Sequence, residues 1–183
     1  MLRNLATGTA LVISLATPAF AHIVFAEPQT ASDSYYAGFL QVGHGCGTSP
    51  TTTIRVEIPD GINVARPQPK PGWTLEVEKT TLATPVPSEG GTITERVSAI
   101  TWHGGLPADQ FDLFGIMMRL PATVGPIYFP TVQTCAEGEN RWVDIPAAGA
   151  AWGSVPHPAP ILTLHETATP VVPATGGDTE HHH

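Results

Sequence analysis

The 183-residue chain is 13% charged and 42% hydrophobic, which excludes a disordered chain and allows one domain with a real core. Its formal net charge is −8 with only 8 Lys and Arg, so it has no basic patch to grip a phosphate backbone. Nucleic acid is therefore not an expected partner.

Residues 1–21 read as a signal peptide. Arg3 precedes an apolar stretch through Leu11-Val12-Ile13-Ser14-Leu15, and Ala19-Phe20-Ala21 is a small-x-small cleavage site. The stretch is too short and interrupted to span a bilayer, and nothing later approaches that length. The expectation is a mature protein without a stable membrane span, in the periplasm or otherwise outside the cytoplasm. Cleavage after Ala21 leaves 162 residues.

The remainder reads as strands punctuated by turns. Ile23-Val24-Phe25 is a short first strand, and Tyr35 to Val42 a second that runs into Gly43-His44-Gly45-Cys46-Gly47. Thr52 to Ile58 alternates, with Ile54, Val56 and Ile58 on one face. Pro59-Asp60-Gly61 turns the chain. Arg66 to Gly72, with prolines at 67, 69 and 71, reads as an extended arm closing on Trp73. Trp73 to Val77 and Ile93 to Trp102 are further strands, followed by a loop at Gly104-Gly105-Leu106-Pro107. Phe111 to Leu120 is apolar enough for a buried strand. Ile127 to Thr134 leads into Cys135, Glu137 to Asn140 turns, and Arg141 to Ile145 runs back. Pro160 to Leu164 is the last strand. About nine strands without an amphipathic helix predict an all-β, immunoglobulin-like antiparallel sandwich over residues 22–166. Residues 167–183, rich in Thr, Pro, Gly and Ala, read as a disordered tail. Its His181-His182-His183 reads either as a metal-scavenging tail or as an expression artefact.

Cysteine chemistry is limited to Cys46 and Cys135. In an exported chain such a pair reads as one disulfide; with no CxxC companion, a thiolate metal site is the weaker reading. The sequence carries no phosphate loop, GxSxG elbow or HExxH helix. Met117 and Met118 are adjacent on a strand, so they point to opposite faces and cannot both reach one ion.

The chemistry converges on His22. Cleavage after Ala21 makes it the first residue, with a free α-amine and a ring Nδ1 that can close a chelate around one ion. Affinity of such nitrogen sites for divalent metals peaks at Cu(II). His44, between two glycines and two residues before Cys46, is the best candidate for a further ligand. His103, His157 and His165 read as solvated. Both chelating nitrogens must lose protons to bind, so copper should leave as pH falls through the range where free histidine titrates, about 6.5.

Several blocks together resemble the YcnI-like copper-binding family of exported bacterial proteins. They are Ala21-His22-Ile23-Val24, the run Val42 to Thr51 around His44-Gly45-Cys46, Ile58-Pro59-Asp60-Gly61, Pro67-Gln68-Pro69-Lys70-Pro71-Gly72-Trp73, Ile100 to Gly105 and Phe129 to Cys135. The blocks run from about 22 to 165, and only PxPxPGW and HGC are distinctive singly. The resemblance implies a β-sandwich holding Cu(II) through a brace at the mature N-terminal histidine, a carboxylate completing the site and a tryptophan beside the metal. His22 matches the brace residue, and Trp142 lies in the late strand where the tryptophan is expected. Where the carboxylate is expected, on the second strand, this chain has His44. A two-histidine site is then the expectation, with Glu27 and Glu57 as fallback carboxylates.

The function implied is copper homeostasis: storage of Cu(II), or its delivery to another periplasmic copper-handling protein, without catalysis. The runner-up is a copper-dependent polysaccharide mono-oxygenase, which also uses an N-terminal histidine on a β-sandwich and needs a second one. A structural or adhesive sandwich with an incidental histidine terminus is the third reading.

Overall fold

The alternation seen in the sequence becomes two sheets packed face to face. In this computed structural model residues 22–88 and 90–167 are described. The segment read as a leader, 1–21, and the tail from 168 lie outside the described residues.

Twelve strands form among the described residues. They are β1 (Val24–Phe25), β2 (Gln29–Ala31), β3 (Tyr35–Val42), β4 (Thr51–Glu57), β5 (Val64–Pro67) and β6 (Thr74–Ser88). Then come β7 (Gly91–Leu106), β8 (Asp112–Arg119), β9 (Gly125–Tyr128), β10 (Thr131–Cys135), β11 (Glu139–Trp142) and β12 (Ile161–His165). One sheet has the order β1-β3-β8-β5 and the facing sheet β11-β10-β4-β7-β6. A small third sheet, β2-β12-β9, includes one parallel pair, β12 with β2. The all-β sandwich is as expected; that parallel pair departs from a purely antiparallel plan.

The strand count exceeds nine for physical reasons. Ile127 to Cys135 reads as one strand, but Phe129-Pro130 interrupts it. The proline lacks the N–H a continuous ladder needs, and β9 and β10 fall in different sheets. The start of the proline arm, Arg66 and Pro67, ends strand β5, tolerated because β5 is a sheet edge with Pro67 as its last residue. The strand that starts after Trp73 runs on to Ser88 as the outer edge of its sheet, through Pro85 and Pro87, for the same reason.

The core lies between the two large sheets. Leu40 and Val42 of β3, Ile54 and Val56 of β4, Ile100 and Trp102 of β7 and Phe114, Ile116 and Met118 of β8 are all buried. Met117 is 42% exposed where Met118 is fully buried, the opposite-face arrangement expected of neighbours on a strand. Trp102 packs edge-on to Phe114 at 5.5 Å between ring centroids, and its Nε1–H donates to Gln68 O at 3.2 Å. Trp73 packs on the same Phe114 at 5.0 Å. Phe25 and Phe129 close the other end at 4.9 Å. Among the described residues no helix is long and apolar enough to cross a membrane.

Candidate metal centre

His22 enters the sandwich at its edge. β1 pairs with β3 in the register Val24↔Gln41 and Phe25↔Leu40. The same register continued back sets His22 in line with Gly43. Ile23, directly after it, is fully buried and anchors the start of the strand. The His22 side chain itself is half-buried.

Across from it stands the end of β11, the edge strand of the facing sheet. The Trp142 ring lies 4.7 Å from the His22 ring, tilted by 50°. Trp142 is buried, 8% exposed, and its Nε1–H is a buried polar atom without a hydrogen-bond partner among the described residues. Such an orphan is rare, because a buried donor left unsatisfied costs about 1–3 kcal/mol.

A second indole walls the same histidine. After Trp142 the chain leaves on a loop, Ile145 to His157, whose two ends are pinned together. Asp144 N–H donates to His157 O at 2.9 Å, Ala159 N–H donates to Asp144 O at 2.9 Å, and His157 N–H donates to Asp144 Oδ2 at 3.0 Å. Within the loop a 3-10 turn, Trp152–Ser154, presents Trp152. Its Nε1–H donates to Ala159 O at 2.7 Å, and its ring lies 5.1 Å from His22. Sequence reasoning did not select Trp152. The available signal was a large aromatic set among Ala, Gly and Pro, outside any strand alternation.

His157, expected to be merely solvated, packs its ring 5.8 Å from Trp142. His44 makes contacts of its own. Its carbonyl accepts Gln133 Nε2–H at 2.6 Å, and its Nδ1 lies 2.5 Å from Gly45 O. Gln133, itself buried, also donates to Thr51 Oγ1 at 2.8 Å and accepts from Asn140 at 3.1 Å. Cys46 and Cys135 form the expected disulfide, which ties the His44 loop to the end of β10. The structure thus brings His22 together with Trp142 and Trp152, and His157 onto Trp142. Among the described residues the His44 ring is not part of that aromatic cluster.

The remaining candidates lie elsewhere. Glu57 pairs with Arg55 at 3.0 Å on the outer face of the five-stranded sheet. There a groove of about 620 Å³ is lined by charged and hydroxyl side chains. His103 lines that groove too, with Nδ1 3.4 Å from Thr53 Oγ1 and Nε2 3.3 Å from Glu76. The Glu27 carbonyl accepts the Tyr36 hydroxyl. Burial first, and the Glu27 charge second, push the Tyr36 phenol above its ordinary value of 10. His165 ends β12, and its carbonyl accepts the Ser32 N–H.

Among the described residues no three His, Cys, Asp or Glu side chains cluster as a metal-binding group. A brace needs fewer side chains, since its first residue supplies two nitrogens. The donor chemistry around His22 fits that case. Two indoles pack on the imidazole, and one of them has a buried N–H with no acceptor among the described residues.

A family model described as a domain of unknown function (DUF1775) matches residues 22–164. The chain belongs to this family. Among solved structures, the DUF1775 chain is similar to an uncharacterized protein from Nocardia farcinica with an immunoglobulin-like fold. The two are 30% identical, with a TM-score of 0.60, and the match covers 80% of this chain and 99% of the other. No curated protein matches the sequence.

Proposed function

We propose that this DUF1775 protein is an exported, YcnI-like Cu(II)-binding protein of copper homeostasis. The mature N terminus at His22 holds the metal through its amine and ring nitrogen, with a second side chain completing the hold. Storage, or delivery to another extracytoplasmic copper-handling protein, is the role that follows, and it involves no catalysis.

One observation carries this reading. The His22 ring lies against a buried indole whose N–H has no partner among the described residues, at a position directly behind Ala19-Phe20-Ala21, which reads as a cleavage site. Two further facts support it: a second indole walls the same ring, and the family domain begins at residue 22. Each part of the chain has a definable task. Ile23 and β1 fix the direction in which the terminus points. Trp142 and Trp152 shield one side from water and so restrict what else can bind. Bound copper would supply the Lewis acidity that makes a two-nitrogen chelate tight at neutral pH.

The test is made on protein exported and processed in bacteria. Intact mass should give a start at His22, and Cu(II) EPR should show nitrogen hyperfine structure. A variant that matures with one extra alanine before His22 converts the amine to an amide. It should lose most of its affinity while folding normally. Equal affinity in both proteins would remove the brace.

A further inference from the structure

We propose that His157 is the second side chain of the His22 site, carried to it by the loop that Asp144 pins. This rests on the copper reading and names a ligand within it. The first observation is a shared contact. His22 and His157 pack on one and the same indole, at 4.7 and 5.8 Å between ring centroids. Both imidazoles therefore contact the same indole.

The second observation concerns that indole. It is nine-tenths buried, and its Nε1–H has no acceptor among the described residues. Proteins rarely leave such a donor orphaned unless something from outside the chain completes it. A cation held between the two histidines brings its own water or anion, which is an acceptor of the required kind.

The third observation is how the loop holds His157. Both of its backbone groups are committed to Asp144: the carbonyl accepts the Asp144 N–H, and the N–H donates to Oδ2. Pro156 and Pro158 flank it and restrict the backbone further. The side chain, by contrast, is exposed. A fixed backbone beneath an exposed ring positions a ligand at low entropic cost. His44 presents the reverse case: its ring nitrogen faces the next carbonyl at 2.5 Å and its own carbonyl is held by Gln133.

Two imidazoles and an amine form an all-nitrogen set. That set selects Cu(II) over hard cations and places no carboxylate in the inner ligand shell.

The experiment uses mature protein starting at His22, as wild type, His157→Ala and His44→Ala. Cu(II) affinity is measured by titration calorimetry, and nitrogen hyperfine structure by EPR. Metal-free melting of each variant checks folding. The expected result is that His157→Ala weakens affinity by at least about tenfold and simplifies the nitrogen pattern, while His44→Ala does neither. An unchanged affinity and spectrum in His157→Ala overturns the assignment, and leaves the brace standing if wild type still shows nitrogen-bound Cu(II). Absence of nitrogen-bound Cu(II) in the wild type overturns the brace and this assignment together.

Discussion

Trp142 concentrates two opposing terms in one side chain. Its ring fills space between the end of β11 and the start of β1, and large aromatic truncations there cost about 3–5 kcal/mol. Its N–H is buried without an acceptor among the described residues, a penalty of about 1–3 kcal/mol. Trp142→Phe keeps most of the ring and removes the orphaned donor, so the two terms nearly cancel. Urea denaturation of metal-free protein should show Trp142→Phe within about 1.5 kcal/mol of wild type, against a loss of about 3–5 kcal/mol for Trp142→Ala. A Phe variant as damaged as the Ala variant would mean that the N–H is bonded in solution. Histidines show what residue-level reading can and cannot reach. The chelate reading of His22 draws only on adjacent residues. The contacts of His157 and Trp152 with Trp142 and His22 cross the sandwich, and no local pattern encodes those. Gly104 was legible only as a loop glycine. In fact a Cβ there would sit 2.3 Å from the Trp73 ring, so the glycine is a packing requirement.

At the scale of elements, alternation predicted the central strands well and the edges poorly. Tyr35 to Val42 was read with the boundaries it has, and β4 differs by one residue at each end. Period-two burial drives both, with Leu40, Val42, Ile54 and Val56 all inward. The extension of β6 to Ser88 was missed because that segment is exposed on both faces and leaves no periodic signature. The loop from Val42 to Thr51 is the element on which the disulfide acts. Cys46 and Cys135 are 89 residues apart, and closing a loop of that length stabilises by about 4–5 kcal/mol in the chain-entropy model. The double variant Cys46→Ala with Cys135→Ala should lose about that much in urea denaturation. The His44 loop has a second tether in Gln133, whose amide holds the His44 carbonyl and Thr51. If the double variant loses less than about 1 kcal/mol, that network and not the disulfide sets the position of the loop.

On the scale of the whole molecule, the sandwich brings two edge strands of different sheets to one corner. His22 lies two residues before β1 and Trp142 ends β11, 120 residues apart in the chain. Such a corner is formed only by the complete fold, so a ligand bound there should stabilise the complete fold. For a metal that binds the native state alone, the gain is about 4 kcal/mol at a thousandfold excess over the dissociation constant. A domain of this size converts each kcal/mol into about 2–4 °C, so saturating Cu(II) should raise the melting temperature by about 8–16 °C. Copper also binds histidines of the unfolded chain, which reduces the shift. Removing His181, His182 and His183 from every sample keeps the tail out of the comparison. The decisive pair is then protein starting at His22 and protein with one alanine before it. A large shift in the first and little in the second places the binding energy at the free amine of the folded corner. Equal shifts would move the metal to another part of the sandwich. No shift in either would leave the fold as a scaffold whose N-terminal histidine is incidental, and the unpaired indole N–H would then need an acceptor other than a metal-bound one.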